Sequence, residues 1–500
     1  MSEIEVAEGT TPLNLRYNMQ SSNPSAYQKR ITSYLYPTQN GTITDKTSRT
    51  LRFLVGSNFF MDGRNSYLRL QARVDGTNVN TIDQNTGLSV APWNRAIFTS
   101  YTETWIKSLT LYTNMGVVIE QIRDYNVLGA IMKANIEPEY AQSVGFESLN
   151  IVDSSPNSLS VEQRQIMASQ FKTYIIEMRG SGFLKAFNYL PLKALAGQNS
   201  NSFQIEIEFG GLSDMVIAWQ SQAGQNPIIP TSYGLSLGGA VLPTANGGTG
   251  LGYTLQNIVL VQSLLQDDLM EASLMDTIKS VPLMIHYDTY RHYTNKIGAN
   301  AGGNNTLSIS EYQESVKSLT SVSRYSNAIQ LQTIDNTAFL DPNISQYQLQ
   351  IGPVYFNSQP ILTSASGVSQ VPDLGEQYYE YTKQNQKAMF YNKGFQPSVV
   401  QYYTFGGNIY MQSQKSNSQF ILTTDLRPFP DYAIGDPEYH EFISGYNTKS
   451  SPQPLQLLLQ NGNQNTTPFA GVNGSDVTVD SFTNYDSYCV IQSNEVYIIS

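Results

Sequence analysis

The chain contains a single cysteine among its 500 residues, Cys489, within the apolar run YCVI. One thiol can form no intramolecular disulfide, so the stability of the fold must come from packing. The apolar neighbours predict a buried thiol rather than a reactive one.

Long hydrophobic runs are also absent. No stretch of the sequence approaches the roughly 20 apolar residues of a membrane-spanning helix. The N-terminal residues MSEIEVAEGTTPLN lack the basic region and apolar run of a secretory signal. We therefore expect a protein that is synthesised in the cytosol and not secreted.

Charged residues are scarce, at 14% of the chain, and the net charge is −11. Soluble domains usually carry roughly 25% charged residues, so the polar surface here must come from Asn, Gln, Ser, Thr and Tyr. Such a surface suits broad contacts that desolvate little charge. The acidic balance argues against a protein that grips phosphate backbones, and we expect no sequence-specific binding of nucleic acid.

What the sequence does contain is apolar residues that alternate with polar ones. The segment FQIEIEF, which begins at Phe203, alternates strictly, as do SYLRLQARV from Ser66 and YQLQI from Tyr347. A period of two is typical of a half-buried β-strand. With 40% hydrophobic and 11% aromatic residues, the chain can bury a substantial core. We predict an all-β protein with short helices.

Composition divides the chain into four segments. Residues 1–45 form a polar arm, and residues 46–223 contain a first series of strands. Residues 224–252 are so rich in Gly and Pro that they read as a connecting loop, and the strand pattern restarts in residues 253–500. Two successive strand-rich modules predict a pair of β-sandwiches with Greek-key or jelly-roll connections.

Three segments resemble catalytic or phosphate-binding motifs, but each lacks the neighbouring residues or secondary structure that its motif requires. GLSLG from Gly234 matches the nucleophile elbow around Ser236, but prolines precede it where that motif needs a strand. GTGLG from Gly248 lacks the Lys and Ser/Thr of a phosphate loop. Asp267 and Asp268 have the position of helix N-terminal acids rather than of a catalytic pair. We predict no enzyme, no catalytic residue and no cofactor.

Histidines and an aspartate in HYDTYRH pose the question of a metal site. His286, Asp288 and His292 would share one face of a strand, and a further ligand from a neighbouring strand would complete a site. No such ligand is evident in the sequence. We therefore interpret the two histidines as polar residues on a sandwich face, predict no metal, and expect His440 in an exposed loop.

Four segments of the second half resemble a known family. They are YQLQIGPVYFNSQPI from Tyr347, EQYYEYTKQNQ from Glu376, FILTTDLRPF from Phe420 and FISGYNT from Phe442. Their order and spacing resemble the major capsid proteins of tailless icosahedral DNA viruses, and most closely those of virophages and polinton-like viruses. The resemblance covers about residues 45–500.

The resemblance implies two tandem jelly rolls, a double jelly roll, with residues 46–223 as the first and residues 253–500 as the second. It further implies a homotrimeric, pseudo-hexagonal capsomer that tiles the icosahedral shell of a virion assembled inside the host cell. The implied partners are neighbouring capsomers, penton proteins, minor capsid or cement proteins and an internal membrane protein.

A second interpretation of the same residues is a β-sandwich adhesin or receptor-binding spike, whose exposed Tyr, Trp and Asn would contact glycans or a host surface. A ligand groove lined by Trp93, Trp105 or Trp219 would favour it. Tryptophans in such positions are also common as core or interface anchors.

Overall fold

The fold is known from a computed structural model. The structure describes residues 29–39, 41–75, 95–99, 101–134, 170–186, 188–197, 201–219, 252–298, 303–326, 339, 344–363, 376–377, 379–380, 421–427, 445–450, 453–461, 476–492 and 495–500. The Gly/Pro-rich segment lies outside these residues except for Gly252.

Strands dominate the described residues. Those before residue 267 are β1 (Lys29–Leu35), β2 (Ile43–Thr44), β3 (Thr50–Gly56), β4 (Phe60–Asp75), β5 (Arg95–Phe98), β6 (Ile106–Thr113), β7 (Val118–Arg123), β8 (Lys172–Ile176), β9 (Leu190–Pro191), β10 (Asn201–Phe209), β11 (Val216–Trp219) and β12 (Gly252–Gln266). Those after it are β13 (Leu283–Ile297), β14 (Asn304–Ile309), β15 (Val316–Tyr325), β16 (Ile344–Ile351), β17 (Val354–Tyr355), β18 (Ile361–Leu362), β19 (Ile421–Asp425), β20 (Leu455–Asn461), β21 (Val477–Gln492) and β22 (Glu495–Ile499).

Helices are short and lie between strands. They are α1 (Tyr125–Ala134), α2 (Leu192–Ala196), α3 (Leu212–Met215) and α4 (Asp268–Thr277), with a single 3₁₀ turn at Thr102–Trp105. The prediction of an all-β protein with short helices is confirmed.

The alternating segments form strands with one buried face, as predicted. In β10 the apolar residues are buried and the intervening polar residues are only partly covered, and β4 and β16 follow the same rule. A period-two pattern places every apolar side chain of a strand on the same face, so each of these strands contributes one row to a core.

The first sandwich consists of two antiparallel sheets. One has the order β1-β12-β4-β8, with β2 paired to β12 and β9 to β4; the other has the order β3-β10-β6-β7. The small β11-β5 ribbon contributes Phe98 to an aromatic cluster in the core. The fully buried Trp105 ring lies 4.9 Å from Tyr174 and 4.7 Å from Phe98, centroid to centroid.

The second sandwich repeats this architecture. One sheet has the order β13-β21-β15-β19, with β22 paired to β21, and the other has the order β14-β20-β16-β17, with β18 paired to β16. The long strand β21 is central, because it pairs with β13 along one edge and with β15 and β22 along the other.

Strand β12 belongs to the first sandwich, which corrects the predicted start of the second jelly roll at residue 253. Its register places Gly252 opposite Asp75 and Leu265 opposite Phe60, both in β4. Its other edge pairs with β1, which comes from the segment predicted as an arm. The last part of that arm is thus an edge strand, and the chain passes to the second sandwich at α4 rather than within residues 224–252.

The two sandwiches meet along β13, an edge strand of the second. The hydroxyl group of Tyr287 donates a hydrogen bond of 2.6 Å to the carbonyl oxygen of Ile119 in β7, and its ring lies 5.3 Å from that of Phe183. Gly182 approaches the backbone of β13 so closely that a Cβ atom there would overlap the carbonyl group of Asp288. Glycine is therefore needed at this position for steric reasons.

We expect Gly182→Ala to lower the free energy of unfolding by about 3 kcal/mol, because the added methyl group must force the sandwiches apart. Gly298→Ala is the matched control, since a Cβ atom there meets nothing within 4 Å. Urea unfolding of both variants checks this. Equal midpoints for the two variants would contradict the close approach at β13.

Candidate functional site

Charged side chains alternate along two neighbouring strands and gather on one face of the sheet. On β13, His286, Asp288 and His292 are spaced by even numbers of residues, and the antiparallel register places Asp288 opposite Asp486 of β21. Asp480 lies on the same face of β21. The prediction that the two histidines and Asp288 share a face is confirmed, but they divide into two separate clusters.

The first group, which we call the lysine cluster, comprises His286, Asp288, Lys317 and Asp486. The Lys317 ammonium lies 2.8 Å from an oxygen of Asp288 and 2.7 Å from an oxygen of Asp486. The Nε2 atom of His286 lies 2.7 Å from Asp486, whose other oxygen accepts a hydrogen bond of 2.6 Å from the hydroxyl group of Ser315. The sheet thus holds one buried carboxylate, Asp486, and one partly exposed carboxylate, Asp288, with a buried cation between them.

The pKa values of the cluster follow from this arrangement. Burial opposes the charge on Lys317, but the two carboxylates outweigh it and raise the pKa of the ammonium. Burial likewise opposes ionisation of Asp486, but His286 and Lys317 lower its pKa. For Asp288 burial prevails and raises the pKa. Lys317 therefore stays charged while the two carboxylates differ in their affinity for a proton.

The lysine cluster also has the geometry of a metal site. The ligand atoms of His286, Asp288 and Asp486 lie within 4.8 Å of one another. Asp486 is the further ligand atom donor that the sequence does not reveal, because only strand pairing brings it to β13. The Lys317 ammonium, however, already bridges both carboxylates at hydrogen-bond distance. A metal ion would have to displace it, so we assign no metal to these residues.

The second group, which we call the histidine relay, runs from one sandwich to the other. Its members, in order, are Lys107, Asp124, His292, Asp480 and Arg324. The relay begins on β6 and the residue after β7, in the first sandwich, and ends on β13, β21 and β15 in the second. Its charges alternate in sign, with His292 at the crossing point.

Two buried carboxyl groups support the first sandwich at the contact. Glu120 accepts a hydrogen bond of 3.0 Å from the backbone amide of Gly182 and another from the hydroxyl group of Ser181. Glu103 accepts one of 2.6 Å from the hydroxyl group of Tyr125. Burial raises the pKa of Glu103, and it raises that of Glu120 to about 7. These groups hold the turn that touches β13.

The Ser181 and Glu120 pair resembles a nucleophile beside a base, but its setting is structural. Ser181 is fully buried, and its hydroxyl oxygen also accepts a hydrogen bond of 3.2 Å from the amide of Leu184. A substrate needs access to the nucleophile, and this pair is enclosed by the contact between the sandwiches. The pair therefore stabilises a turn.

Three other residues considered in the sequence have structural roles, one as a helix cap and two in the core. The side chain of Asp267 caps α4 by accepting a hydrogen bond of 3.0 Å from the amide of Met270, as predicted. Cys489 is fully buried, and burial raises the pKa of its thiol to about 12, which confirms the prediction of a core thiol. Trp105 is a core residue, so it lines no open groove.

Several predictions lie outside the described residues. These concern Trp93, Ser236, Gly248 and His440. Within the described ranges, no helix has the length and apolar character needed to cross a bilayer.

Comparison with known proteins adds a clear structural likeness. No protein-family model and no curated protein matches the sequence. The capsid of PBCV-1 virus, a quasi-atomic model, matches with a TM-score of 0.52 and 10% identity, over 95% of this chain and 97% of that one. The crystal structure of PBCV-1 VP54, fitted into a cryo-EM reconstruction of the virophage Sputnik, matches with a TM-score of 0.50, 10% identity and the same coverage.

Four main antiparallel sheets in two sandwiches, together with these matches, define a double jelly-roll protein. Its fold is the one found in the major capsid proteins of viruses such as PBCV-1. The fold class predicted from the sequence, a double jelly roll, is confirmed. At 10% identity the likeness concerns the fold.

We expect Lys317→Met to destabilise the protein by about 3 kcal/mol at neutral pH, because it leaves the buried carboxylate of Asp486 and the partly exposed one of Asp288 without their cation. Lys279→Met is the control: Lys279 is paired with Asp276 on α4, but its side chain is 74% exposed. The control should change stability by less than about 0.5 kcal/mol. Urea unfolding of both variants measures the difference, and a Lys317→Met protein as stable as wild type would show that the cluster is not held by charge.

Proposed function

We propose that this chain is the major capsid protein of an icosahedral virus. The observation that carries the proposal is the full-length likeness to the PBCV-1 capsid, which includes both jelly rolls and covers 97% of the compared chain. A likeness restricted to one sandwich would be of little value, since single jelly rolls serve many functions.

In this proposal, three copies associate into a trimer with a pseudo-hexagonal outline. Each copy contributes two sandwiches of similar architecture, so three copies present six similar units around a threefold axis. Closed cyclic symmetry satisfies identical interfaces, and a near-hexagonal block can tile a large shell with a single kind of part. The firm contact along β13 supports this role, because a tile must hold its two halves at a constant angle.

The surface of the chain supports extensive association. Large apolar side chains are exposed in both sandwiches and on α4: Tyr36 is 67% exposed, Leu269 73% and Tyr312 53%. The apolar residues of α4 repeat at helical spacing, which usually marks a buried helix face, but Met270 of this helix is exposed. Scattered exposed apolar residues are ordinary in monomers, but they are suitable contact points in an interface with few charges.

The proposed partners are further copies of the same chain, penton proteins, minor capsid or cement proteins and an internal membrane protein. The proposed location is the virion shell, after assembly inside the host cell. We propose no enzymatic activity, since the buried polar clusters are occupied by structural contacts. The adhesin alternative gains no support from Trp105, which belongs to the core; the side chains of Trp93 and Trp219 lie outside what the structure describes.

Light scattering on a sizing column tests the proposal. We expect three copies of the 55.6 kDa chain, about 167 kDa, in a single peak whose mass does not change with dilution. Exchange into higher salt should then favour growth into sheets or shells visible by electron microscopy, because screening reduces repulsion between acidic blocks. A monomer that stays monomeric at all concentrations and binds glycans would overturn the proposal.

A further inference from the structure

A single imidazole ring joins the two jelly rolls through carboxylates on its two sides. The Nδ1 atom of His292 lies 3.1 Å from an oxygen of Asp124 in the first jelly roll. Its Nε2 atom lies 2.8 Å from an oxygen of Asp480 in the second. Both ring nitrogens therefore face acceptors. Only the link to Asp124 crosses from one jelly roll to the other, because His292 and Asp480 both belong to the second.

This geometry requires a proton on each ring nitrogen. An imidazolium carries two N–H groups and can donate to both carboxylates, whereas a neutral imidazole carries one and presents a lone pair at the other nitrogen. After loss of a proton, one carboxylate must therefore face that lone pair. Deprotonation converts one of the two hydrogen bonds into a repulsive contact, and it removes the positive charge between two negative ones.

The surroundings of the ring identify which carboxylate it would keep. Asp480 also accepts a hydrogen bond of 2.8 Å from Nε and one of 2.6 Å from Nη2 of Arg324, so it is fixed within the second jelly roll. The Phe482 ring packs 4.8 Å from the imidazole, and the Thr294 hydroxyl group lies 3.3 Å from Nε2. All these groups belong to the second jelly roll and hold the ring beside Asp480. The bond from His292 to Asp124 is therefore the weaker of the two.

The charged and titratable groups that face the His292 ring favour its doubly protonated form. They are Asp124, backed by Lys107, and Asp480, backed by Arg324. Burial lowers the pKa of His292, but its bonds to Asp124 and Asp480 outweigh this and raise the pKa above the ordinary 6.5. Burial opposes ionisation of Asp124 and Asp480, but their cationic partners lower both pKa values.

The direction of the pH effect follows. A group whose pKa is raised in the folded state contributes stability that is complete below its unfolded value, near 6.5 here. That contribution is lost as the pH rises through the folded value. The carboxylates act in the opposite sense and weaken the relay only in acid, below their ordinary pKa of 3.8. The relay is therefore intact in mildly acidic solution and opens as the pH rises through the raised pKa of His292.

We propose that His292 is a proton-controlled clamp between the two jelly rolls, closed when the ring holds two protons and released at Asp124 when it loses one. The clamp controls how firmly β7 of the first jelly roll is held against β13 of the second. It requires no ligand and no partner, so it does not depend on the proposed capsid role. In a shell built from this chain, the same proton would control the rigidity of each tile.

The chain supplies its own control for this inference. His286 lies on the same strand and also contacts two aspartates, at 2.7 Å from Asp486 and 3.8 Å from Asp288. Both of these aspartates belong to the second jelly roll. Replacing His286 by Gln therefore removes a comparable histidine without touching the contact between the jelly rolls.

Hydrogen exchange of the full chain, read by mass spectrometry at peptides of β7 and β13, tests the clamp between about pH 6 and pH 10 with correction for the intrinsic rate. In the wild type and in His286→Gln, we expect corrected exchange at these strands to rise roughly tenfold across the range. In His292→Gln, exchange should already be raised at low pH, and any further rise should be smaller than in the wild type, because only Glu120 of β7, with a pKa of about 7, still titrates there.

His292→Lys is a second variant, because its charge persists over most of this range. It should keep exchange low at high pH, and it carries the test if His292→Gln does not fold. A wild-type profile without a rise would overturn the clamp, as would a rise of equal size in His292→Gln. These readouts concern one chain, so a failed clamp and a failed trimer remain distinguishable.

Discussion

The close contact along β13 is the constraint on which the rest of the molecule depends. An edge strand normally exposes unpaired backbone groups, and proteins must cover or otherwise protect it. Here the first sandwich covers it: the backbone at Gly182 touches the carbonyl group of Asp288, and Tyr287 reaches back to Ile119. This close approach and this hydrogen bond join the two sandwiches along β13.

Buried charge fixes the register of β13, β21 and β15 within the second sandwich. Strand β21 carries Asp480 and Asp486 on the face where β13 presents its histidines, and each aspartate has a cation supplied by β15. A shift of one residue would turn every side chain of a strand to the other face and leave these charges unpaired. A buried ion pair adds little net stability compared with an apolar pair, but a broken one is costly. We interpret both clusters as devices that exclude wrong pairings of long, polar strands.

The sequence predicts local structure well and long-range pairing poorly. Period-two patterns identify β4, β10 and β16, since burial of one face of a strand is a local property. The same pattern in β12 says nothing of its partner, and its placement in the second sandwich was wrong because β4 lies far away in the chain. The roles of Asp480 and Asp486 were missed for a related reason. Their even spacing in VTVDSFTNYDSYCV matches that of the residues in HYDTYRH, but only the register brings them together.

In the proposed capsid role, two jelly rolls form one rigid block and three blocks form a tile. Electron cryo-microscopy of the purified assembly tests it most directly. The account predicts a particle with threefold symmetry and six sandwich densities in a near-hexagonal ring, with a constant angle between the two sandwiches of each chain. Single chains, or particles in which that angle varies widely, would contradict it.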